Sequence, residues 1–486
     1  MKKETTTETN QKSAKYLKVL TEEMPADLET PVSAFLKLRK YGAKILLESV
    51  ESGTILGRYS FIGIRPGSKI IINQNELIVK NGGAGTKMPH AGVDSPLESL
   101  KEILDSLKLE VSSDYPPLLG GAVGYISYDF ARFFEKIPQK TNDSLKMPLA
   151  LFYLIDTLLV FDHVKRRLKI MTLAEEGRED MAQDKIRQIV KLLLSPLELP
   201  VHFPIEKSTE NLKSNFEKEK FCNVVRKVKE HIVAGDVYQL VISQRFSGTT
   251  ESDPFMIYRA LRMLNPSPYM FFLDFDDIRL IGSSPEALVR LEKGIATVRP
   301  IAGTRPRSED NETDKKLEEQ LHNDEKEKAE HVMLVDLGRN DLGRCCEVGS
   351  VKVTDFMKTE RYSHVMHMTS NVIGKLKSGL NQFDLFRAAF PAGTVTGAPK
   401  IKTMQLIEEL ENIRRGPYAG AAGYFSLTGD MDWCITIRTI IMKNKDFFLQ
   451  AGAGIVADSV PENEYQETCD KLAALKKAIE IAEEGF

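Results

Sequence analysis

Four glutamates in this sequence form two pairs with the same spacing, Glu327 with Glu330 and Glu464 with Glu467. Residues three apart on a helix share one face, so each pair can point toward one ligand. Magnesium prefers an octahedral set of oxygen ligands and keeps several waters. One carboxylate from each of two helices, together with a substrate carboxylate, would suit it. The alternative is two solvated faces, because acidic residues early in a helix also complement its dipole.

A single arginine, Arg438, lies in the apolar stretch 432–440, whose alternation predicts a strand. That alternation places Trp433, Ile435 and Ile437 on one side and Arg438 on the other. An enclosed guanidinium needs an anion, and its planar fork fits a carboxylate. The pattern therefore indicates either a substrate carboxylate or a structural salt bridge to a protein acid.

A glycine and threonine loop covers residues 391–400, reading Pro-Ala-Gly-Thr-Val-Thr-Gly-Ala-Pro-Lys. Gly393 and Gly397 flank its centre, and an amphipathic segment follows at 401–412. Free N–H groups and the dipole at a helix start favour an anion. The spacing is not that of a nucleotide-binding P-loop. A plain connection from strand to helix is the competing interpretation.

Two histidines, His364 and His367, lie three residues apart in a segment of strand character. Odd separation in a strand places the two rings on opposite faces, so at most one faces a site. No further His or Cys has the spacing of a zinc centre. An imidazole here can act as general acid or base, or serve as an ordinary structural residue.

The composition points to a soluble protein that binds small molecules and other proteins. The chain has 486 residues, 42% hydrophobic and 28% charged, with a net charge of −3. Dispersed charges give no basic surface for nucleic acid or anionic lipid, and we expect neither nucleic acid nor membrane as a partner. No secretory signal or membrane segment is expected. Five cysteines without metal spacing are typical of reduced thiols in the cytoplasm.

The elements that must position these residues fall into two parts. Residues 40–200 alternate short strand runs with helices, and a polar connector at 195–215 suggests a boundary between an N-terminal domain, 1–205, and a catalytic domain, 206–486. We predict helices over 178–194, 216–234 and 314–337. A last helix is predicted from a capping pattern at 459–462. The apolar window 147–161 is predicted as one buried strand, and the first dozen residues as a disordered tail.

Several motifs in fixed order resemble the chorismate-utilising enzymes, most closely the branch that aminates chorismate to anthranilate. They are residues 283–286 (Ser-Ser-Pro-Glu), 300–304 (Pro-Ile-Ala-Gly-Thr), 329–341, 393–400 and 452–456. The resemblance covers nearly the whole chain. It implies an α+β fold of two large antiparallel sheets packed face to face with helices on the outside. Periodicity alone supports only a mixture of α and β.

The resemblance also implies roles for individual residues. Magnesium would bind Glu330 and Glu467, with Glu327 and Glu464 supporting it through water. The catalytic residues would be His367, Thr394 and Glu286. The substrate would be held by Gly303, Thr304, Tyr418, Arg438, Gly452, Ala453, Gly454 and Lys471. Ammonia would add at ring carbon 2 of chorismate as the 4-hydroxyl leaves, and loss of pyruvate would give the aromatic amine.

Two positions distinguish branches of the family. Where the branch that makes 4-amino-4-deoxychorismate often has a lysine nucleophile, this chain has Ala302. Where branches that activate water have a lysine base, it has Gln239. Both favour anthranilate. The alternatives are 4-amino-4-deoxychorismate synthesis and a tryptophan-binding relative without turnover.

Two further segments resemble the inhibitory tryptophan site of this branch. The residues are Glu48, Ser49, Asn265, Pro268, Tyr269 and Met270. We therefore expect feedback inhibition by L-tryptophan. No cysteine lies in the context of an amidotransferase nucleophile, so ammonia should come from a separate glutamine amidotransferase subunit in a hetero-oligomer, expected to be a heterotetramer. Asp470 stands where relatives often have asparagine.

Overall fold

Two large sheets carry most of the chain. The computed structural model describes residues 15–49, 57–82, 84–89, 96–110, 114–199, 204–205, 207–361 and 365–486. The predicted N-terminal tail and His364 lie outside these ranges. The expected α+β fold is confirmed.

The first sheet has 13 strands among the described residues, and nearly all pairs are antiparallel. Their order is β12-β13-β25-β24-β15-β14-β2-β3-β10-β11-β1-β7, with β21 paired to β13. The strands are β1 (Lys15–Pro25), β2 (Ala43–Glu48), β3 (Tyr59–Ile64), β7 (Leu107–Leu109), β10 (Thr157–Asp162), β11 (Arg167–Glu175), β12 (Lys213–Ser214), β13 (Gln239–Thr249), β14 (Tyr269–Asp274), β15 (Ile278–Ser284), β21 (Gly397–Ala398), β24 (Thr439–Lys443) and β25 (Asp446–Ile455).

The second sheet has 12 strands within the described ranges, in the order β18-β20-β17-β16-β23-β22-β8-β9-β4-β5-β6, with β19 paired to β20. The strands are β4 (Ser68–Ile72), β5 (Glu76–Asn81), β6 (Ala84–Pro89), β8 (Gly121–Ile126), β9 (Ala150–Ile155), β16 (Ala287–Glu292), β17 (Ile295–Val298), β18 (Ile301–Pro306), β19 (Lys352–Arg361), β20 (Val365–Lys375), β22 (Ala421–Ser426) and β23 (Met431–Ile435).

Helices cover the outer faces of the two sheets. Apolar residues of α1, α3, α5 and α11 pack with strands of the first sheet, and those of α2 and α8 pack with strands of the second. The helices are α1 (Pro31–Arg39), α2 (Pro96–Asp105), α3 (Glu179–Leu193), α4 (Lys218–Val233), α5 (Pro254–Leu264), α6 (Asn311–Asn323), α7 (Glu325–Cys345), α8 (Gln382–Ala389), α9 (Lys400–Leu410), α10 (Pro461–Asp470) and α11 (Ala473–Glu484). Short 3-10 turns occupy Tyr128–Phe133, Ser208–Asn211 and Gly393–Val395.

The chain passes directly from one sheet to the other at several points. The window 147–161, predicted as one strand, is two strands, β9 in the second sheet and β10 in the first, separated at Asp156. The apolar run continues through the crossing because both faces of β9 and β10 are buried. The prediction of a single strand was wrong for this reason.

The prediction for 432–440 was wrong in the same way. β23 ends at Ile435 in the second sheet and β24 begins at Thr439 in the first. Arg438 lies between them, with a φ of 49°. It therefore belongs to the crossing and not to a strand face.

Two predicted helices are each divided into two. The helix predicted over 314–337 breaks at Asp324, whose side chain accepts hydrogen bonds from the N–H groups of Lys326 and Glu327 and so caps α7. The last helix divides between Asp470 and Ala473 into α10 and α11. Its predicted cap is wrong: Val460 is the N-cap and makes no side-chain cap, while the Ser459 hydroxyl accepts from the N–H of Val456.

Other predicted elements are confirmed within a few residues, including α3 and α4. The boundary near residue 205 stays a prediction, and both sheets combine strands from either side of it. All five cysteines have free thiols. None of the helices in the described ranges has the length and hydropathy needed to cross a membrane.

Candidate functional site

The residues predicted for substrate, metal and catalysis come from distant parts of the chain and meet in one region. Glu327 and Glu330 lie on α7, Glu464 and Glu467 on α10, and Gly452 on β25. The remaining residues lie on the crossings between sheets, on paired strands β18 and β20, and in the loop before α9. Their contacts divide into four groups.

Arg438 is the centre of the first group. Its Nη1 donates to the carbonyl oxygen of Lys471 over 2.6 Å. The Lys471 ammonium in turn donates to the carbonyl of Gly452 over 2.9 Å and lies 2.6 Å from the Glu467 carboxylate. Burial lowers the pKa of Arg438. A half-buried guanidinium beside an ammonium provides two cations for an anionic ligand.

Tyr418 and the Gly452–Gly454 backbone form the floor beside Arg438. A side-chain carbon at Gly452 would lie 2.7 Å from the Tyr418 hydroxyl, so the ring approaches the strand closely. Burial raises the pKa of Tyr418 to about 12, although the nearby Arg415 cation opposes the shift. The hydroxyl is therefore neutral and can donate to a ligand oxygen. Ala453 is buried within the same strand.

The four glutamates face one another across the gap between α7 and α10. Burial raises the pKa of Glu330, and the carboxylates of Glu327 and Glu467 raise it further. Burial also raises the pKa of Glu464, and Glu467 adds to the effect. Oxygen donors crowded in this way fit a divalent cation, which would relieve their mutual repulsion.

Three of these carboxylates also interact with a neutral or cationic neighbour. Arg305 lies 3.3 Å from Glu327, Gln239 donates to Glu330 over 3.4 Å, and Lys471 pairs with Glu467. Within the part of the chain that the structure describes, no three His, Cys, Asp or Glu side chains are close enough to form a preformed metal centre. A cation held here would need water or a ligand carboxylate to complete its coordination.

His367 on β20 faces β18. Its Nδ1 lies 3.0 Å from the Thr304 hydroxyl and 3.2 Å from the Gly303 carbonyl oxygen. A carbonyl only accepts, so this contact assigns the proton of a neutral ring to Nδ1 and leaves Nε2 as the acceptor. Burial lowers the pKa of His367, and the charge of Arg438 lowers it as well. The imidazole is therefore neutral at pH 7.

Glu286 lies at the crossing from β15 to β16, beside Thr394 and within the field of Lys471. Burial raises the pKa of Glu286 to about 7, although the Thr394 hydroxyl and Lys471 oppose the shift. The buried Thr394 oxygen makes no well-formed hydrogen bond to the described residues. A carboxyl that titrates near pH 7 is suited to proton transfer.

A cavity of about 350 Å³ lies between the two sheets. Five of the six residues predicted for tryptophan line it: Glu48, Ser49, Pro268, Tyr269 and Met270. Tyr269 donates its hydroxyl to Asp432 over 3.0 Å. This volume is within the range of small-molecule sites.

Glu48 and Asn265 contribute to this region through their neighbours. The Glu48 carboxylate is almost fully buried and accepts from Tyr258 and from Arg262 on α5. Asn265 does not line the cavity, and its amide donates to the Ser283 hydroxyl over 3.1 Å. Both therefore stabilise the cavity wall.

Most of the polar lining of this cavity was not predicted from the sequence. It includes Arg58, Tyr59, Asp114, Tyr115, Arg290, Glu292, Lys293, Tyr424 and Asp432. These residues lie on both sheets and on the loops that join them, so no local pattern links them. The contact between Gln239 and Glu330 was also missed. Nothing in the sequence marks it.

The Asp470 carboxylate accepts a hydrogen bond from the Gln466 amide over 2.8 Å. The Lys471 ammonium forms its ion pair with Glu467 and not with Asp470.

Comparison with known proteins agrees with this geometry. Residues 43–477 match the family described as chorismate binding enzyme. Anthranilate synthase component 1 of Aquifex aeolicus is 48% identical over 471 residues, covering 95% of this chain and 94% of the relative. The protein of the same name from Acetivibrio thermocellus is 45% identical over 475 residues, covering 96% of both.

Solved structures show the same fold. Anthranilate synthase component I from Streptococcus pneumoniae TIGR4 has a TM-score of 0.76 and 38% identity, covering 93% of this chain and 99% of that one. The menaquinone-specific isochorismate synthase MenF of Escherichia coli has a TM-score of 0.71 at 18% identity, covering 96% and 95%, which shows the fold alone. The chain belongs to the chorismate binding enzyme family.

Proposed function

We propose that this chain is the large, aminating component of an anthranilate synthase, which converts chorismate and ammonia to anthranilate and pyruvate in the first step of tryptophan biosynthesis. The observation that carries the proposal is the agreement, over 94–96% of both sequences, with relatives that bear this name. Ala302, which has no amine in its side chain, supports this branch over 4-amino-4-deoxychorismate synthesis.

Substrate binding follows from the cations of the site. Arg438 and Lys471 hold one carboxylate of chorismate through charge-assisted hydrogen bonds. The Tyr418 hydroxyl and the backbone of Gly452–Gly454 contact the substrate from the strand side. Gly303 and Thr304 border it on the side of His367.

Proton transfer uses an acid, Glu286, and a base, His367. Glu286, with a pKa near 7, donates a proton to the 4-hydroxyl as it leaves, and Thr394 orients the carboxyl. His367 is neutral and accepts at Nε2 the proton that the nitrogen of the added ammonia loses, with Nδ1 held by Gly303 and Thr304. The family resemblance implies a role for His367 in loss of the hydroxyl, whereas its lowered pKa favours a role as a base.

Magnesium is the cation that the donor set suits. Glu330 and Glu467 would bind it, with Glu327 and Glu464 supporting through water. When bound, it supplies Lewis-acid stabilisation of the negative charge on the ring carboxylate. These carboxylates also exclude a second anion from that end of the site.

Two partners belong to the proposal. A glutamine amidotransferase subunit supplies ammonia, in a hetero-oligomer expected to be a heterotetramer. L-tryptophan binds the cavity between the sheets and inhibits the enzyme by favouring a less active state. Cytoplasmic location is part of the same expectation.

The test is direct. Purified chain is incubated with chorismate, MgCl₂ and an ammonium salt, and anthranilate is followed by its fluorescence. Anthranilate with one equivalent of pyruvate supports the proposal. A product that keeps the enolpyruvyl group indicates 4-amino-4-deoxychorismate synthesis, and tryptophan binding without turnover indicates a regulatory relative.

A further inference from the structure

A buried ion pair joins the helix of the metal-site glutamates to the loop of Thr394. Lys400, the first residue of α9, lies 3.0 and 3.1 Å from the two carboxylate oxygens of Asp341 on α7. It also donates to the carbonyl of Ala389, the last residue of α8, over 3.3 Å. Only 14% of the Lys400 side chain and 13% of the Asp341 side chain are exposed. One ammonium therefore connects three helices around residues 390–399.

The loop itself is held tightly on both sides. A side-chain carbon at Gly393 would lie 1.7 Å from Leu337 of α7, and one at Gly397 would lie 2.1 Å from the carbonyl oxygen of Gln239 on β13. The loop thus fits between α7 and β13 with space for backbone alone. Thr394 lies next to the first of these contacts.

We propose that the Asp341–Lys400 ion pair positions Thr394 against Glu286 by holding the 390–399 loop on α7, and so acts as a positioning pair for the reaction. The inference rests on the proposed function and deepens it. A small cavity of about 40 Å³ is lined by Asp341, Glu286, Gly393 and Thr394 together. Separation of the loop from α7 would open this space and move Thr394.

Loss of one partner removes the connection. Burial raises the pKa of Asp341, and the Lys400 cation opposes that shift. Without Lys400, the Asp341 carboxylate is therefore left buried without its cation, which is unfavourable. Water or a proton must then enter between α7 and α9. The contacts of Arg438 and Lys471 with the substrate lie on other elements and remain, so the effect falls on the chemical step more than on binding.

The test compares Lys400→Met with Lys402→Met, a matched control on the same helix whose surface pair with Asp236 spans 3.4 Å. The pKa of the Glu286 carboxyl is measured by infrared spectroscopy as a function of pH, and subtraction of the Glu286→Gln spectra isolates its signal. Among the described groups, Thr394 and Lys471 lower the pKa of Glu286. We expect Lys400→Met and Thr394→Val to raise this pKa by similar amounts, the double variant to add little, and Lys402→Met to leave it unchanged.

Kinetics supply the second measurement. We expect kcat to fall about tenfold or more in Lys400→Met, with KM for chorismate within about threefold of the parent, and Lys400→Arg to recover most of the rate. Asp341→Asn replaces Lys400→Met if that variant does not fold. An unshifted Glu286 titration, or shifts that add fully in the double variant, overturns the inference. Parent protein that makes no anthranilate overturns the proposed function instead, while the infrared titration still decides the role of the pair.

Discussion

Glu286 and Arg438 lie on two neighbouring crossings between the sheets and are connected through the backbone. The N–H of Ile435 donates to the carbonyl of Glu286 over 3.0 Å, and the N–H of Ser283 donates to the carbonyl of Arg438 over 3.1 Å. β15 pairs with β24 in one sheet and β16 with β23 in the other. The acid and the cation therefore come from a rigid part of the fold, which favours precise geometry.

The first prediction concerns Glu286. Because burial raises its pKa to about 7, the carboxyl is protonated below that pH and charged above it. As a proton donor it should lose activity as pH rises through about 7, and Glu286→Gln should lower kcat about 100-fold and remove that limb. The measurement is kcat against pH at constant free ammonia. If kcat of Glu286→Gln still fell by the same factor at the same pH as in the parent, the titrating group would be another residue.

The fold was predictable from the sequence where local patterns determine structure. The apolar spacing of α3 and α4 identifies those elements. The break at Asp324 was also readable, because Asp324 and Glu327 have the spacing of a capping box. The charged pattern that continues on both sides of Asp324 nevertheless favoured a single helix over 314–337.

The crossings could not be predicted from local patterns. At Asp156 an apolar run continues without a turn signal, because both faces of β9 and β10 are buried, and at Arg438 the apolar alternation continues in the same way. The cavity between the sheets depends on the pairing of β14 with β2 and on the packing of two sheets. Such contacts join residues more than 200 positions apart. Family motifs, and not periodicity, identified those site residues.

A second prediction concerns Arg438. Arg438→Lys keeps the charge but loses the planar fork, so kcat/KM for chorismate should fall about 10- to 100-fold, mostly through KM. Arg339→Lys, an exposed arginine on α7 whose partner is Asp336, is the control and should match the parent. Steady-state kinetics with chorismate varied measures both. An unchanged KM in Arg438→Lys would show that its guanidinium does not hold the substrate.

A third prediction concerns the glutamates. Glu330→Gln or Glu467→Gln should weaken Mg²⁺ binding at least about tenfold, because each removes a proposed direct ligand. Calorimetric titration with MgCl₂ measures affinity, and the rise in Tm on adding the metal gives a second readout. Glu325→Gln is the control, because Glu325 lies on α7 with Glu330 and pairs with Lys328 at the surface. Equal Mg²⁺ affinity in all three variants would place the metal elsewhere.

A fourth prediction concerns the cavity between the sheets. Ser49 lies in its wall, so Ser49→Phe should fill part of the 350 Å³ and weaken L-tryptophan binding about tenfold or more. Tyr269→Ala removes the ring that donates to Asp432 and should also weaken binding. Calorimetry with L-tryptophan measures the affinity, and D-tryptophan controls for non-specific binding. Full affinity in Ser49→Phe would exclude this cavity as the tryptophan site.

The last prediction separates stability from regulation at Glu48. Its carboxylate is 2% exposed and accepts from Arg262 Nε and Nη2 over 3.0 and 3.1 Å, and from the Tyr258 hydroxyl. Glu48→Ala leaves both donors without this acceptor, so the free energy of unfolding should fall by about 2–4 kcal/mol. Urea unfolding, followed through the buried Trp433, measures it in the absence of tryptophan.

Tyr258→Phe is the matched control, because it removes one hydrogen bond and leaves the ion pair with Arg262; it should cost about 1 kcal/mol. Since the Glu48 carboxylate is already engaged by α5, the folded fraction of Glu48→Ala should lose less tryptophan affinity than Ser49→Phe. A Glu48→Ala protein that unfolds at the same urea concentration as the parent, yet no longer binds tryptophan, would instead make Glu48 a direct ligand of the amino acid.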